Sequence, residues 1–494
     1  MTITARRQDL SFWTRCVAAA LLVSLADLLF YGHSPGSSLG IFGLAWTGAV
    51  AATHPEARRH GCGLLATAAG FALLQIEAPS FVGWTLFWTA LAAAALTARS
   101  GDGEDVWRRA QRLCVLATAG LVAPVLDLHQ VIVRTRRKGR PALLRPVLEP
   151  LILPAAGGSV FLALFAAANP VIANLLASLN TPEIDIWRGL FWAATLVAVW
   201  SVLRPRFLRR PLPTPLCDGD GPLPWVSTPS VTLSLILFNG LLALQNGLDV
   251  AFLWSGGGLP DGLSFADYAH RGAYPLIGTA LLSGLFVLVA LRPGSATSRR
   301  PLIRRLVVLW TVQNVFLVAS SMLRTLDYIG AYSLTRLRIA ALVWMGLVGV
   351  GLALILWRML RGKSSGWLLN ANAVAAGVVL AAASVVDLGS VAATWNVRHA
   401  RELGWPGADL DVPYLRQLGD SAVVPMAELQ LGALPPALRA RVAQAETEAL
   451  GDLKARQSDW RSWSWRGARR LERTEAILSA RPIEAQPLTS TGRP

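Results

Sequence analysis

The stretch FWTRCVAAALLVSLADLLFY, residues 12–31, decides the fold. About twenty apolar residues in a helix cross a hydrocarbon core of roughly 30 Å. Asp27 is the one acid in this run, and Arg15 stands near its start. Comparable runs cover 39–53, 61–78, 80–98, 149–169, 186–203, 230–254, 272–292, 306–328, 336–358 and 367–388. Lipid offers the backbone no hydrogen-bond partner, so such segments must close their bonds internally, as helices do. The composition agrees, at 53% hydrophobic and 15% charged residues, with a mean hydropathy of +0.45. The expected fold is an all-α, polytopic transmembrane bundle of about eleven spans with a small helical domain at its C-terminal end. The first run continues to Tyr31 past the faint cleavage-like Ser24-Leu25-Ala26, so it is expected to stay as an uncleaved span. The 39–53 run is short and needs snorkelling ends or local thinning of the bilayer.

The 494 residues carry a formal net charge of +16. Nearly all of that charge is arginine, because Lys138, Lys363 and Lys454 are the only lysines. Many of these arginines lie in short loops between apolar runs. The pattern points to anionic lipid headgroups as the partner and not to nucleic acid. Arg6, Arg7 and Arg15 set the N-terminus on the cytoplasmic side. Alternation then puts Arg58-Arg59, Arg99 to Arg112, Arg204 to Arg210, Arg299 to Arg305 and Arg358 to Lys363 on that side too. One segment tests the scheme. Residues 113–133 are apolar enough to cross, yet the most basic stretch of the chain, Arg134 to Arg140, follows them. Pro124, Asp127, His129 and Gln130 mark 113–133 as a re-entrant or interfacial helix. With that segment not crossing, everything after residue 390 lies outside the cytoplasm.

This gives N-terminal membrane helices over 1–133, a basic cytoplasmic loop over 134–148, a transmembrane core over 149–389 and an outer helical domain over 390–480. The tail 481–494 has no periodic signal and is expected to be disordered. Within the outer domain, Asp411 and Asp420 stand at helix N-cap positions. Pro435-Pro436 opens a helix to about Arg456, and another is expected from Ser458 towards Ala480. Trp460, Trp463 and Gly467 give that last helix one aromatic stripe with arginines around it. The stripe suits either the core of a small helical domain or a helix lying on the membrane face.

No cofactor and no metal is expected. Cys16, Cys62, Cys114 and Cys217 form no CxxC pair and read as small buried hydrophobes, and no HExxH or Cys/His cluster occurs. Polarity inside the spans is patterned. Gln313, Ser320, Arg324 and Asp327 share an arc of roughly 60° on one helix, Asn239, Asn246 and Asp249 roughly 80° on another, and Asn370, Gly377, Ser384 and Asp387 roughly 100° on a third. Asp27, Asn169, Asp249, Arg324, Asp327 and Asp387 fall near the outer ends of their spans. Tyr268 and Arg271 stand in an outer loop, and Arg336 and Arg338 open a span from the outside, against the positive-inside trend. Together these ten residues outline an outward polar vestibule, with room for an anionic ligand. The plainer reading is packing: Arg324 neutralises Asp327 one turn away, while Asp249 and Asp387 pair with Arg336 and Arg338 across helices. The Gly256-Gly257-Gly258 turn lacks the surroundings of a phosphate loop.

Three stretches carry a resemblance: FLALFAAANP at 161–170, LPDGLSFADYAHRGAYP at 259–275 and YIGAYSLTRLR at 328–338, with Asn396 to Arg398 and Leu410 to Leu415 beyond them. They resemble a bacterial family of polytopic membrane proteins known only as a domain of unknown function, over about 161–418. The resemblance implies a multi-pass protein of the bacterial cytoplasmic membrane. It implies no activity and no catalytic residues.

Three functions fit. The first is a non-enzymatic protein that senses or assembles with an envelope partner through the vestibule and the outer domain. The second is a transporter or lipid-handling protein using the vestibule, and the third a transferase acting on a lipid-linked donor.

Overall fold

The computed structural model describes residues 3–97, 105–127, 185–206, 227–255 and 300–480, with a few isolated positions besides, and side chains from Phe12 onward. The expected spans at 149–169 and 272–292 lie outside these, apart from single positions, as do Gly256 to Gly258, Cys217 and the tail 481–494. Every regular element among the described residues is a helix.

The helices are α1 (Ile3–Phe30), α2 (Ser37–Thr53), α3 (Pro55–His60), α4 (Cys62–Glu77), α5 (Phe81–Leu96), α6 (Val106–Gly120), α7 (Ile186–Leu203), α8 (Thr228–Asp249), α9 (Pro301–Tyr332), α10 (Arg336–Arg361) and α11 (Ser365–Val385). Then come α12 (Leu388–Arg398), α13 (Val412–Leu418), α14 (Val423–Leu429), α15 (Pro436–Ser458) and α16 (Trp465–Ser479). Six helices are long and apolar enough to cross a membrane: α1 from Phe12, α7, α8 with its extension to Trp254, α9, α10 and α11. Helices α2, α4 and α5 are apolar but shorter, and 16 residues give α4 and α5 about 24 Å of length. Large apolar side chains stand exposed along the long helices, among them Leu233, Leu237, Leu241 and Leu244 on α8 and Val374 and Val378 on α11. An apolar surface of that extent belongs in lipid. The protein is a multi-pass membrane protein.

Contacts between the helices fix their relative directions. At one end, Asp27 of α1 bonds Arg188 and Trp192 of α7. At the other, Phe12 meets Trp200 edge to face at 5.9 Å. Helices α1 and α7 are therefore antiparallel. Helices α8 and α9 run in the same direction, because Asn239 reaches Leu306, Asn246 reaches Gln313 and Trp254 reaches Ser320. The tight turn between α4 and α5 closes on Gln75, fully buried, whose amide both accepts from Ser80 N at 2.8 Å and donates to Ser80 O at 3.2 Å.

Helices α12 to α16 form a cap on one end of the bundle. Their core holds Leu415, Val423, Met426 and Val442, and it runs on into Ile329 and Leu334 at the junction of α9 and α10. The cap is thus an extension of the bundle and not a separate ball. Asn396 of α12 fixes it: its side-chain oxygen accepts from Leu334 N at 2.6 Å and its nitrogen donates to Leu334 O at 2.9 Å. The turn between α15 and α16 sits on the start of α2, where Ser37 N donates to Trp463 O and Ser37 Oγ to Trp460 O. Gly36 is required there, since a Cβ would fall 2.2 Å from the carbonyl carbon of Ser462.

Several expectations change. Helix α6 begins at Val106, so Arg108, Arg109 and Arg112 are helical and not loop residues. Both ends of 105–127 meet the end of the bundle away from the cap. Val106 N donates to Asn370 near the start of α11, and buried Asp127 accepts from Trp200 and Arg206 at the end of α7, with Arg204 at 3.3 Å. At that same end, burial and the nearby Arg15 pull His54 down to about 4. The last helix starts at Trp465 with Ser464 as its cap, which leaves Trp460 and Trp463 in the preceding turn instead of on an aromatic stripe. Asp411 does cap α13, but Asp420 lies in a 3-10 turn and pairs with Arg456 instead. Cys62 and Cys114 are exposed and Cys16 half-buried, contrary to their reading as buried hydrophobes.

Asn396→Ala should strand two buried backbone groups, at a cost of about 3 kcal/mol. Thermal unfolding in detergent should show a clearly lower midpoint. An unchanged midpoint would mean that the cap is not seated there.

Candidate functional site

The two polar stripes expected on α8 and α9 face each other. Asn239 Oδ1 accepts from Gln313 Nε2 at 2.8 Å, and Asn246 Nδ2 donates to Gln313 O at 3.1 Å. One turn further towards the cap, Arg324 forms an ion pair with Asp249, which also accepts from Gln245 at 3.0 Å. Asp249 is 1% exposed and Arg324 5%. Beyond Asp249, α8 widens into a π-helical turn, Val250–Trp254, which brings the Trp254 indole to Ser320 Oγ at 3.1 Å. Such turns inside helices recur at functional sites. Charges within a bilayer are costly and need partners, which is why the pair is buried between two helices and not turned towards lipid.

This arrangement replaces the expected pairings. Arg324 turns to Asp249 on the neighbouring helix, and Asp327 stands exposed. Arg338 reaches back to the carbonyls of Tyr332 and Ser333 and lies over the Tyr328 ring at 4.3 Å. An arginine at that position serves the carbonyl end of α9, where cations are favoured. That is the local reason for its breach of the positive-inside trend. The turn it braces includes Ser333, the one non-glycine residue with positive φ, +70°, among the described residues.

A second group lies at the seam between bundle and cap. Asp387 caps α12 through Ser390 N, accepts from Ser421 Oγ at 3.2 Å and pairs with Arg470 of α16. Arg336 Nη2 is 3.4 Å from Ser421 Oγ, and Arg336 N donates to the Tyr414 hydroxyl at 2.9 Å. Arg470 thus meets the carboxylate directly, and Arg336 reaches it only through the Ser421 hydroxyl. Burial, with Arg336 alongside, pushes Arg470 down to about 10. The third group is Asp27 with Arg188 and Trp192, on the α1–α7 side. There the Tyr31 hydroxyl donates to Asp185, which caps α7.

The structure therefore divides the ten expected residues. Asp249 with Arg324, Asp387 with Arg336, and Asp27 fall into three groups, and Arg338 and Asp327 stand by themselves beside the first. Asn169 is exposed, while Tyr268 and Arg271 lie outside the described residues. The third stripe does not join a site: Asn370 binds Val106, and Asp387 belongs to the next helix. The sequence reading missed the α16 arginines as site residues. Arg466 and Arg469 both meet Glu77 at the end of α4, at 3.5 and 2.6 Å, Arg470 meets Asp387, and Arg473 meets Glu428. Their signal was present as an arginine every three or four residues, which is one face of a helix. Among the described residues no three His, Cys, Asp or Glu side chains come together to hold a metal ion.

A family model described as a domain of unknown function (DUF4153) matches residues 61–429. The chain belongs to this family. The family match runs from α4 to the end of α14, so it takes in the α8–α9 pair and the Asp387–Arg336 seam and leaves out α1 to α3, α15 and α16. It contains the resemblance seen over 161–418 and begins well before it. No curated protein matches the chain, and no solved structure does.

Asp249→Ala and Arg324→Ala should each leave an uncompensated buried charge, costing about 3–5 kcal/mol. The double variant Asp249→Leu/Arg324→Leu should recover most of the loss in a detergent unfolding assay. Equal losses in single and double variants would rule out the pair.

Proposed function

We propose that this chain is a non-enzymatic protein of the bacterial inner membrane that senses or assembles with an envelope partner through its cap. The observation that carries the proposal is the reach of α16. Its arginines tie the cap to the ends of two bundle helices, Glu77 on α4 and, through Asp387, the end of α11. A cap held to separate helix ends registers any shift between them, and a ligand or partner on the cap acts back on the same contacts. Exposed Trp405, Trp460 and Trp465 give it surface for such a partner or for the headgroup layer.

The N-terminus is cytoplasmic in this proposal, the basic loops meet anionic headgroups there, and the cap is extracytoplasmic. Eleven crossings are proposed. The nine apolar helices at 12–30, 37–53, 62–77, 81–96, 186–203, 228–254, 301–332, 336–361 and 365–385 supply most of them. The directions of the helices on either side support one further crossing in each of the intervals 128–184 and 256–299. The parallel course of α8 and α9 supports the second of these. The two ends of 105–127, both held away from the cap, support a segment that dips in and returns.

A transporter or lipid-handling protein is the second reading. The buried Asp249–Arg324 pair beside a π-helical turn favours it.

Charge reversal separates the two. Arg470→Glu should free α16, so that protease added to spheroplasts cuts within 459–480, and Asp387→Arg combined with Arg470→Asp should restore protection. In cells lacking the wild-type gene, the cap reading predicts that Arg470→Glu fails to complement while the double variant Asp249→Leu/Arg324→Leu succeeds. The opposite pattern would favour transport.

A further inference from the structure

Among the described residues, four buried side-chain oxygens on α8 and α9 meet no hydrogen-bond donor: Asn246 Oδ1, Asp249 Oδ2, Gln313 Oε1 and Asn314 Oδ1. Turning the amides does not cure this. The Asn246 nitrogen already donates to Gln313 O at 3.1 Å, and the Asn314 nitrogen to Trp310 O at 2.8 Å. The Asn239 nitrogen donates to Leu235 O and to Leu306 O, at 2.7 and 3.2 Å. Flipping any of these would set oxygen against oxygen. With Asn239 fixed, its oxygen is the acceptor for Gln313 Nε2 at 2.8 Å, and that in turn fixes Gln313. The amide orientations therefore follow from the carbonyls around them, and the amide atoms that remain over are acceptor oxygens.

Unmet acceptors are expensive in hydrocarbon, which has nothing to offer them. A small donor answers all four, and water is the smallest. The polar positions also follow one another along the helices. From Asn239 to Trp254 is a rise of about 22 Å, most of a hydrocarbon core of roughly 30 Å. The series runs from Asn239 and Gln313 through Asn246 to Asp249, and the π-helical turn and Ser320 lie at its cap side. Asp249 is used unevenly. Its Oδ1 takes both Arg324 and Gln245, while Oδ2 has no partner among the described residues.

We propose that the α8–α9 seam is a hydrated track along which a proton reaches Asp249 Oδ2. The donor is hydronium carried by the water of the track: one of its O–H bonds breaks, an O–H bond forms at Oδ2, and a neutral water is left. The carboxylate becomes neutral, and Arg324 keeps its charge and loses its counterion. Arg324 is the charged group that faces Asp249 among the described residues, and Asp327 stands exposed one turn beyond it. A released guanidinium then alters how α9 packs on α8. This gives the seam a proton-controlled step that depends on no part of the cap reading.

The test uses the full chain with Cys16, Cys62, Cys114 and Cys217 replaced by serine. Single cysteines are placed at Asn246→Cys and Gln313→Cys, with Leu241→Cys on the exposed face and Leu242→Cys in the apolar seam as controls. A charged methanethiosulfonate reacts with thiolate, which forms only where water reaches. The track predicts modification of the two polar positions at least about tenfold faster than of the controls. Infrared difference spectra on acidification should show the band of a protonated carboxyl, absent in Asp249→Asn and displaced in Asp249→Glu. Unreactive cysteines at both polar positions would mean a dry seam and overturn the proposal. Reactive cysteines without an Asp249-dependent band would overturn its proton step.

Discussion

Helix ends are the constraint on which this structure depends. Each helix leaves its last carbonyls without partners, and next to a bilayer they must find donors or stay in water. Here arginines supply them. Arg461 donates to Leu28 O at the end of α1, Arg466 to Val385 O at the end of α11, and Arg338 to the carbonyls that end α9. The first two come from the cap. The cap thus completes the membrane helices beneath it, and Asn396 does the same for the turn between α9 and α10. An arginine-rich chain with few lysines fits this use, because a guanidinium offers several donors in a fixed geometry.

The membrane class and most helices were legible because apolar runs of helical length leave little choice. The stripes on α8 and α9 were legible as stripes. Their meeting was not, since nothing in either run states that the two helices pack side by side and parallel. The pairing of Arg324 with Asp249 follows from that packing and from lipid excluding both charges. Arg324 to Asp327, at i, i+3, looked equally good on paper, yet Asp327 is near enough to the helix end to face outward. The start of α16 departs from the sequence expectation for a local reason: Trp460 and Trp463 fit a helical period, while Ser464 offers a stronger cap three residues ahead of Gly467. The α6 start is hard to see in the sequence because its arginines resemble a basic loop, although they form the polar face of an amphipathic helix.

The polar residues do two kinds of work. Those at the cap seam join one part of the chain to another and are half-exposed, so each contact is worth little alone and the set acts together. Those between α8 and α9 are buried, few and imperfectly satisfied, so each matters more. The family match covers the second group entirely and stops before α15 and α16. The arginine clasp is therefore built by a part of the chain beyond the family region, on to a bundle that lies mostly within it.

The account rests on the N-terminus and the cap lying on opposite sides of the membrane, with 113–133 not crossing. A pair of topology reporters tests this most directly, one fused after Arg140 and one after Arg398. The account predicts a cytoplasmic signal from the first and an extracytoplasmic signal from the second. An outside signal after Arg140 with a cytoplasmic one after Arg398 would contradict it, and the cap would then be a cytosolic module.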